Sequence, residues 1–286
     1  MRRPIRLAST PCGRRLAPLG TSPRRPHVTA VFALRDVGLR RDGRHILAGI
    51  DWTIREGERW VVLGPNGAGK TTLVRILSTY MIASTGRVEV LGRPVGRTDL
   101  QALRPLIGYL SPALAHEVPE ELTPREIVDA AQAGALFPWY VEPDRMSRPR
   151  TEAALEQVGM GEAVERPFAS FSSGEQLRVQ LARALVTEPR ALLLDEPMAS
   201  LDIGGRETLV ATLARVAGGN IPAVVVVLHR LEDIPPGFTH ALLVRGGRIL
   251  AAGPIDEVVT DAPLSDCFGT SLRVARVGAR WSAGSA

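Results

Sequence analysis

Residues 59–80 read RWVVLG, PNGAGK and TTLVRILSTY, an apolar strand delivered through a glycine-rich loop directly into a helix. No other stretch constrains the fold as tightly. Within it, GPNGAGKTT (64–72) has the spacing G-x-x-x-x-G-K-T, which marks a phosphate-binding loop when a strand precedes it and a helix follows. Gly64, Gly67 and Gly69 admit backbone conformations that a side chain forbids. The loop Gly64-Pro65-Asn66-Gly67-Ala68-Gly69 can therefore turn its amides onto an anion, helped by the positive end of the helix opening at Lys70, Thr71 and Thr72. The chain has 35 lysine and arginine side chains, and Lys70 is the only lysine among them. A compact ammonium on a thin stem slips between the β- and γ-phosphates of a nucleotide, where a planar guanidinium is too broad. Thr71 is placed to turn its hydroxyl towards Mg²⁺.

Composition sets the bounds. The 286 residues are 45% hydrophobic and 23% charged, values of a soluble globular protein large enough for a sound core. The formal charge of +5 misleads, because residues 1–28 hold seven arginines and no acid, leaving 28 basic and 30 acidic side chains elsewhere. The body thus offers no basic surface for nucleic acid. Apolar runs such as AVVVVL (223–228) fall far short of the roughly 20 residues that span a bilayer. Cys12 and Cys267 lie far apart and suggest a reducing compartment without structural disulfides. Residues 1–28 contain five prolines and no apolar signal core, and are expected to be a disordered leader.

Beyond the leader the pattern is regular. VFALRDVGL (31–39), IDWTI (50–54), RVEVLG (87–92) and IGYLS (107–111) read as further strands. Residues 113–175 turn helical, with REIVDAAQAGAL and TEAALEQVG set between proline-rich turns. A long amphipathic helix over 174–188 follows. Next come a strand ALLLD (191–195), a helix over 206–217, a strand AVVVVLH (223–229) and a hairpin ALLVRGGRILAAG (241–253). Strands alternating with helices predict an α/β fold, a mostly parallel sheet covered on both faces.

ALLLDEP ends a buried strand in two carboxylates. Asp195 suits Mg²⁺, and Glu196, expected on the opposite side of the pleat, can polarise an attacking water as general base. Adjacent acids after a strand are commonly only solvated; the phosphate loop upstream gives this pair its weight. FSSGEQLRVQLARAL begins at Phe171, 24 residues before Asp195. There the chain is similar to the ATP-binding subunits of ABC transporters. Their signature LSGGQ-x-QR keeps its serine and second glycine as Ser172 and Gly174, while Phe171, Ser173 and Glu175 depart from it. ASLD (199–202) resembles the family's D-loop, with Asp202 at the seam between two copies. His229, closing VVVVLH, matches the switch histidine; His45, His116 and His240 have no such match.

The resemblance implies a P-loop NTPase core over residues 29–270, with a mostly parallel sheet. An antiparallel β subdomain lies at its N-terminal side, an α-helical subdomain is inserted at 113–175, and 271–286 form a C-terminal tail. It implies ATP and Mg²⁺ as cofactors, with Lys70, Glu196 and His229 catalytic and Thr71 and Asp195 on the metal. A second copy or paralogue would offer Ser172, Ser173, Gly174 and Glu175 in trans to the nucleotide. A separate membrane permease would be the partner, with no direct nucleic acid, and the subunit would sit peripherally on the cytoplasmic face of the membrane. Two positions depart from the pattern. The glutamine expected after IGYLS is Pro112, leaving Ser111 or a water to substitute, and the aromatic expected to stack on adenine is Arg41. GERWVVLGPNGAGKTTL, the absent glutamine and EDIPPGFTH (232–240) together resemble small ATPases of the molybdate-transport type. Two other functions stay open at this level: a soluble ATPase of the same class acting on ribosomes or nucleic acid, and a nucleotide switch without turnover. A single uninterrupted cassette and the absence of zinc-spaced cysteines weigh against the first; Glu196 and His229 weigh against the second.

Overall fold

The structure is a computed structural model that describes residues 30–135 and 147–286. The leader with Cys12, and residues 136–146 within the helical insert, lie outside the described residues. Strands β1 (Ala30–Arg41) and β2 (Arg44–Arg55) form a long antiparallel hairpin. Asp42 and Gly43 join them, both at positive φ, the geometry a tight two-residue hairpin turn needs. The second strand starts six residues earlier than IDWTI suggested, because Ile46 and Leu47 extend the apolar alternation. After β3 (Arg59–Leu63), β4 (Thr85–Val90) and the short β5 (Arg93–Pro94) complete an antiparallel sheet in the order β2-β1-β4-β5.

The main sheet is built from β3 with β6 (Ile107–Leu110), β7 (Ala191–Asp195), β8 (Ala223–Val227), β9 (His240–Arg245) and β10 (Arg248–Pro254). Its order is β10-β9-β3-β8-β7-β6, parallel throughout except for β10, which returns antiparallel to β9. Every residue of β3, β7 and β8 is buried, which is why WVVL, ALLL and AVVVV read as unbroken apolar runs. One face packs on the antiparallel sheet and helix Lys70–Leu77 through Phe32, Ile54, Leu73, Leu193 and Val225. The other packs on helices Ser173–Leu185 and Ile203–Ala217 through Leu181, Leu192, Leu213 and Val226. Buried Arg59 locks one end of that layer: its guanidinium donates to the carbonyls of Ala217, Glu58, Pro222 and Gly219.

The insert contributes helices Pro112–Glu117, Pro124–Gln132 and Arg148–Gln157. Thr123 and Glu126 cap the second of these reciprocally, as T-P-R-E before an apolar run predicts. A separate core of Ile127, Val128, Leu155, Phe168 and Phe171 fastens the insert to Val179 and Ala182 of helix Ser173–Leu185. That helix is shared between insert and sheet, since its Leu181 and Ala184 belong to the core under the sheet.

The segment 271–286, read from the sequence as a tail, is instead a hairpin of β11 (Leu272–Val277) and β12 (Arg280–Ser285). Trp281 is only 8% exposed and belongs to the core beneath the sheet, with the Arg276 guanidinium 4.9 Å from its ring centre. Arg280 donates to the Glu232 carbonyl at 2.8 Å. Short strands with one anchoring aromatic leave little periodicity to read. Among the described residues no helix is long and apolar enough to cross a membrane, and Cys267 is buried as a free thiol.

Candidate active site

Because β3 lies between β8 and β9, and β8 beside β7, the residues leaving these three strands emerge side by side at their C-terminal ends, where open α/β sheets bind ligands. The loop after β3 turns at Gly64, whose φ is 151° and where a Cβ would come within 2.1 Å of the Val244 carbonyl oxygen. It re-enters the helix at Gly69, with φ 101° and a Leu47 methyl 2.7 Å from where a Cβ would stand. Only glycine fits either position. Lys70 is buried, and its Nζ donates to the carbonyls of Gly64 at 2.8 Å and Pro65 at 3.0 Å. Burial pulls the pKa of this ammonium down, and the charges of Glu196 and Asp195 oppose that pull.

Thr71 donates to Asp195 Oδ1 at 3.1 Å, so the two residues expected on Mg²⁺ are in contact. Asp195 is 2% exposed, and burial pushes its carboxyl up to about 6 despite the Thr71 hydrogen bond. A hydroxyl and a carboxylate side by side, next to a phosphate cradle, fit a hard cation that takes most of its oxygens from substrate and water. No cluster of three His, Cys, Asp or Glu ligands exists among the described residues, so a cage of the kind zinc takes is not built here.

Glu196 reaches its place differently from the way the pleat suggests. The strand ends at Asp195, and Glu196 stands at φ 51°, a left-handed turn that costs a residue with a side chain roughly 1–2 kcal/mol. Its amide donates to the Val227 carbonyl at 3.2 Å, which fixes it against the end of β8. That turn delivers the carboxylate to His229, whose Nε2 lies 2.7 Å from Glu196 Oε1. Lys70, Thr71, Asp195, Glu196 and His229 therefore belong to one constellation. By contrast His240 stacks on Trp60 with ring centres 4.7 Å apart and bonds Thr239, a structural role.

The serine-rich tip stands apart from this constellation. Ser172 caps helix Ser173–Leu185, and one Glu175 oxygen accepts from both its amide at 2.8 Å and its hydroxyl at 2.7 Å. Those hydrogen bonds hold the Glu175 carboxyl below its usual range. Ser172 and Ser173 are exposed, and none of the tip's hydrogen bonds reaches the phosphate loop. Beside the tip runs a groove of about 400 Å³ whose walls include Gly174, Leu177, Arg178, Leu201 and Thr208. Asp202 caps helix Ile203–Ala217 by accepting from the Gly205 amide at 2.7 Å. Arg206 bonds the Leu201 carbonyl and pairs with Asp233 at 3.2 Å, which ties this loop to the segment after His229.

Arg41 is exposed at the turn end of the β1–β2 hairpin, 3.9 Å from the Asp42 carboxylate. Ser111 is buried, and Pro112 opens the helix that follows it. Sequence reasoning missed Gly247. Its amide donates to the Ala68 carbonyl in the phosphate loop at 3.0 Å, while its carbonyl accepts from Ala48 in β2 at 2.9 Å. The Gly-Gly pair in ALLVRGGRILAAG signals a hairpin turn; nothing in it signals that the turn clamps two other elements.

This arrangement defines a nucleotide-hydrolysing cassette of the phosphate-loop class. Comparison with known proteins narrows it. The model of the ABC transporter family matches residues 47–199. An uncharacterised ABC transporter ATP-binding protein, YlmA of Bacillus subtilis, is 37% identical over 246 residues, covering 85% of this chain and 93% of that protein. The hemin import ATP-binding protein HmuV of Roseobacter denitrificans is 36% identical over 252 residues, covering 84% and 90%. Among solved structures, cbiO1 of Clostridium perfringens, part of the ABC transporter complex cbiONQ, superposes with a TM-score of 0.66 at 25% identity, covering 83% of this chain and 94% of that one. A dimeric cassette bound to ADP and Pi, MJ0796, reaches a TM-score of 0.66 at 22% identity over 78% and 98%, and shares the fold. The chain belongs to the ABC transporter family, as one of its ATP-binding subunits. It is an ATPase, and ATP binding and hydrolysis here drive a separate permease.

Proposed function

We propose that two copies of the chain, or the chain and a paralogue, close head to tail around two ATP molecules, each held by one copy's phosphate loop and the other's Ser172–Glu175 tip. The observation that carries this reading is a separation. Lys70, Thr71, Asp195, Glu196 and His229 converge at one edge of the sheet, while Ser172 and Ser173 stand exposed at a helix N-terminus that touches none of them. A helix N-terminus with a free face attracts phosphate, so the tip is suited to an anion brought by another molecule. Ile203, 83% exposed directly after Asp202, adds an apolar side chain that a partner would cover. Such a pairing is two-fold and self-complementary.

Within each half, the loop amides and Lys70 hold the phosphates, and Arg41 stacks on the base. Thr71 and Asp195 would hold Mg²⁺, which neutralises charge on the phosphates as they separate. Glu196 orients and deprotonates the attacking water. His229 steadies the Glu196 carboxylate through their 2.7 Å contact and is placed to reach the terminal phosphate. The partner tip's contact to that phosphate exists only in the closed pair, so ATP closes it and hydrolysis releases it. The subunit works at the cytoplasmic face of the membrane, bound to its permease.

Glu196→Gln tests this. The variant is expected to bind ATP, hydrolyse it at least 100-fold more slowly, and elute as a dimer with ATP and as a monomer with ADP. A Glu196→Gln protein that hydrolyses ATP at the wild-type rate would contradict the assignment.

A further inference from the structure

β6 runs parallel to β7, with Tyr109 opposite Leu193 and Leu110 opposite Leu194. Carried one residue further, that register sets Ser111 across from Asp195. Side chains alternate along a strand, so Tyr109, Ser111 and Asp195 share one face. It is the face that meets helix Lys70–Leu77, where Tyr109 and Leu193 join Leu73 and Val74 in one core. A diagonal neighbour on the next strand is within reach of an aromatic side chain, which brings the Tyr109 hydroxyl to the Asp195 side of the site.

Tyr109 is 2% exposed, yet its hydroxyl has no hydrogen-bond partner. Its ring packs against Tyr80 with centres 5.5 Å apart. Ser111 and Arg75 lie near enough to donate towards the phenol oxygen, and the charge of Asp195 reaches it, but the hydroxyl's own proton meets no acceptor in bonding geometry. Burial pushes the phenol up to about 12, so it remains a proton donor at neutral pH. A buried donor left without an acceptor is costly, and phenylalanine would fill the same space without that cost. Meanwhile the position where a glutamine amide is expected holds Pro112, which has neither a polar side chain nor an N–H.

We infer that Tyr109 is a positioning residue for the Mg²⁺-ATP state: its hydroxyl donates, directly or through one water, towards the Asp195 carboxylate, and so takes over from β6 the orienting role that the absent glutamine leaves vacant. The inference rests on Thr71 and Asp195 being the metal-side oxygens. Ser111, on the same face and one step nearer in register, lines the path between the two groups.

The test compares wild type with Tyr109→Phe, each titrated with a fluorescent trinitrophenyl ATP analogue in Mg²⁺ and again in EDTA. Loss of one hydrogen bond to a charged group predicts affinity weakened roughly ten- to 150-fold in Mg²⁺. Affinity in EDTA should stay within about twofold, the metal-side contact being absent there. The ligand-free variant should melt no lower than wild type, because a partnerless buried hydroxyl has been removed. Equal affinity in Mg²⁺, or an equal loss in Mg²⁺ and EDTA, would reduce Tyr109 to a packing residue and overturn the inference. If wild type itself binds no more tightly with Mg²⁺, the reading of Thr71 and Asp195 fails and takes this one with it. If instead Glu196→Gln traps ATP while Tyr109→Phe changes nothing, Tyr109 alone is wrong.

Discussion

A carboxylate at the end of an all-buried strand works against the stability of the fold that holds it. Asp195 is pushed up from 3.8 to about 6 mainly by burial, so the folded chain holds a proton there that the unfolded chain has already released. Below about pH 4 both states are protonated and there is no penalty; as pH rises through 6 the folded state must ionise a buried group and loses stability. The shift corresponds to roughly 3 kcal/mol at most. Asp195→Asn should therefore raise the melting temperature of the ligand-free protein at pH 7.5, leave it nearly unchanged at pH 4, and abolish hydrolysis. A calorimetric series across pH checks it; equal gains at both pH values would remove the burial argument. Glu196 adds a second local cost in its left-handed turn. Two disfavoured residues in succession mark the point where this sheet gives up stability for chemistry.

Elements differ in how much of themselves they show in sequence. The phosphate loop was legible because its spacing, its glycines and its flanking strand and helix agree. The three central strands were legible because burial on both faces confines their polar residues, Arg59 and Asp195, to the strand ends. Ser172 and Asp202 were singled out by resemblance alone, and the structure adds that each caps a helix. What stayed hidden depends on contacts between distant segments. The clamp of Gly247 on Ala68 and Ala48, the Arg59 bonds to four carbonyls, and the left-handed turn at Glu196 have no local signal. The last hairpin is the clearest case, since Leu272–Ser285 folds back and buries Trp281 against a core built from residues far earlier in the chain. Trp281→Ala is predicted to cost about 3–5 kcal/mol, the range for truncating a buried large aromatic. Urea titration with the wild-type slope and a lowered midpoint would show it; a shift under about 0.5 kcal/mol would mean the hairpin only rests on the surface.

At the scale of the whole molecule, Lys70, Thr71, Asp195, Glu196 and His229 gather at the C-terminal ends of central strands and form one half of the proposed site. The insert, fastened to helix Ser173–Leu185 through its own core, carries the tip that is its proposed other half. Rigid attachment matters, because a tip on a floppy loop would lose its grip on phosphate to conformational entropy. Pairing in trans can be tested without knowing the cargo. In a Glu196→Gln background, differently tagged copies carrying Lys70→Ala and Ser172→Arg are purified as a mixed pair, and retained radiolabelled ATP is counted per dimer. That pair keeps one intact loop facing one intact tip, so it should retain ATP; a pair of the double variant with an otherwise unaltered copy keeps none and should not. Retention by the second pair and not the first would contradict the account, because it would place loop and tip of a single copy on the same nucleotide.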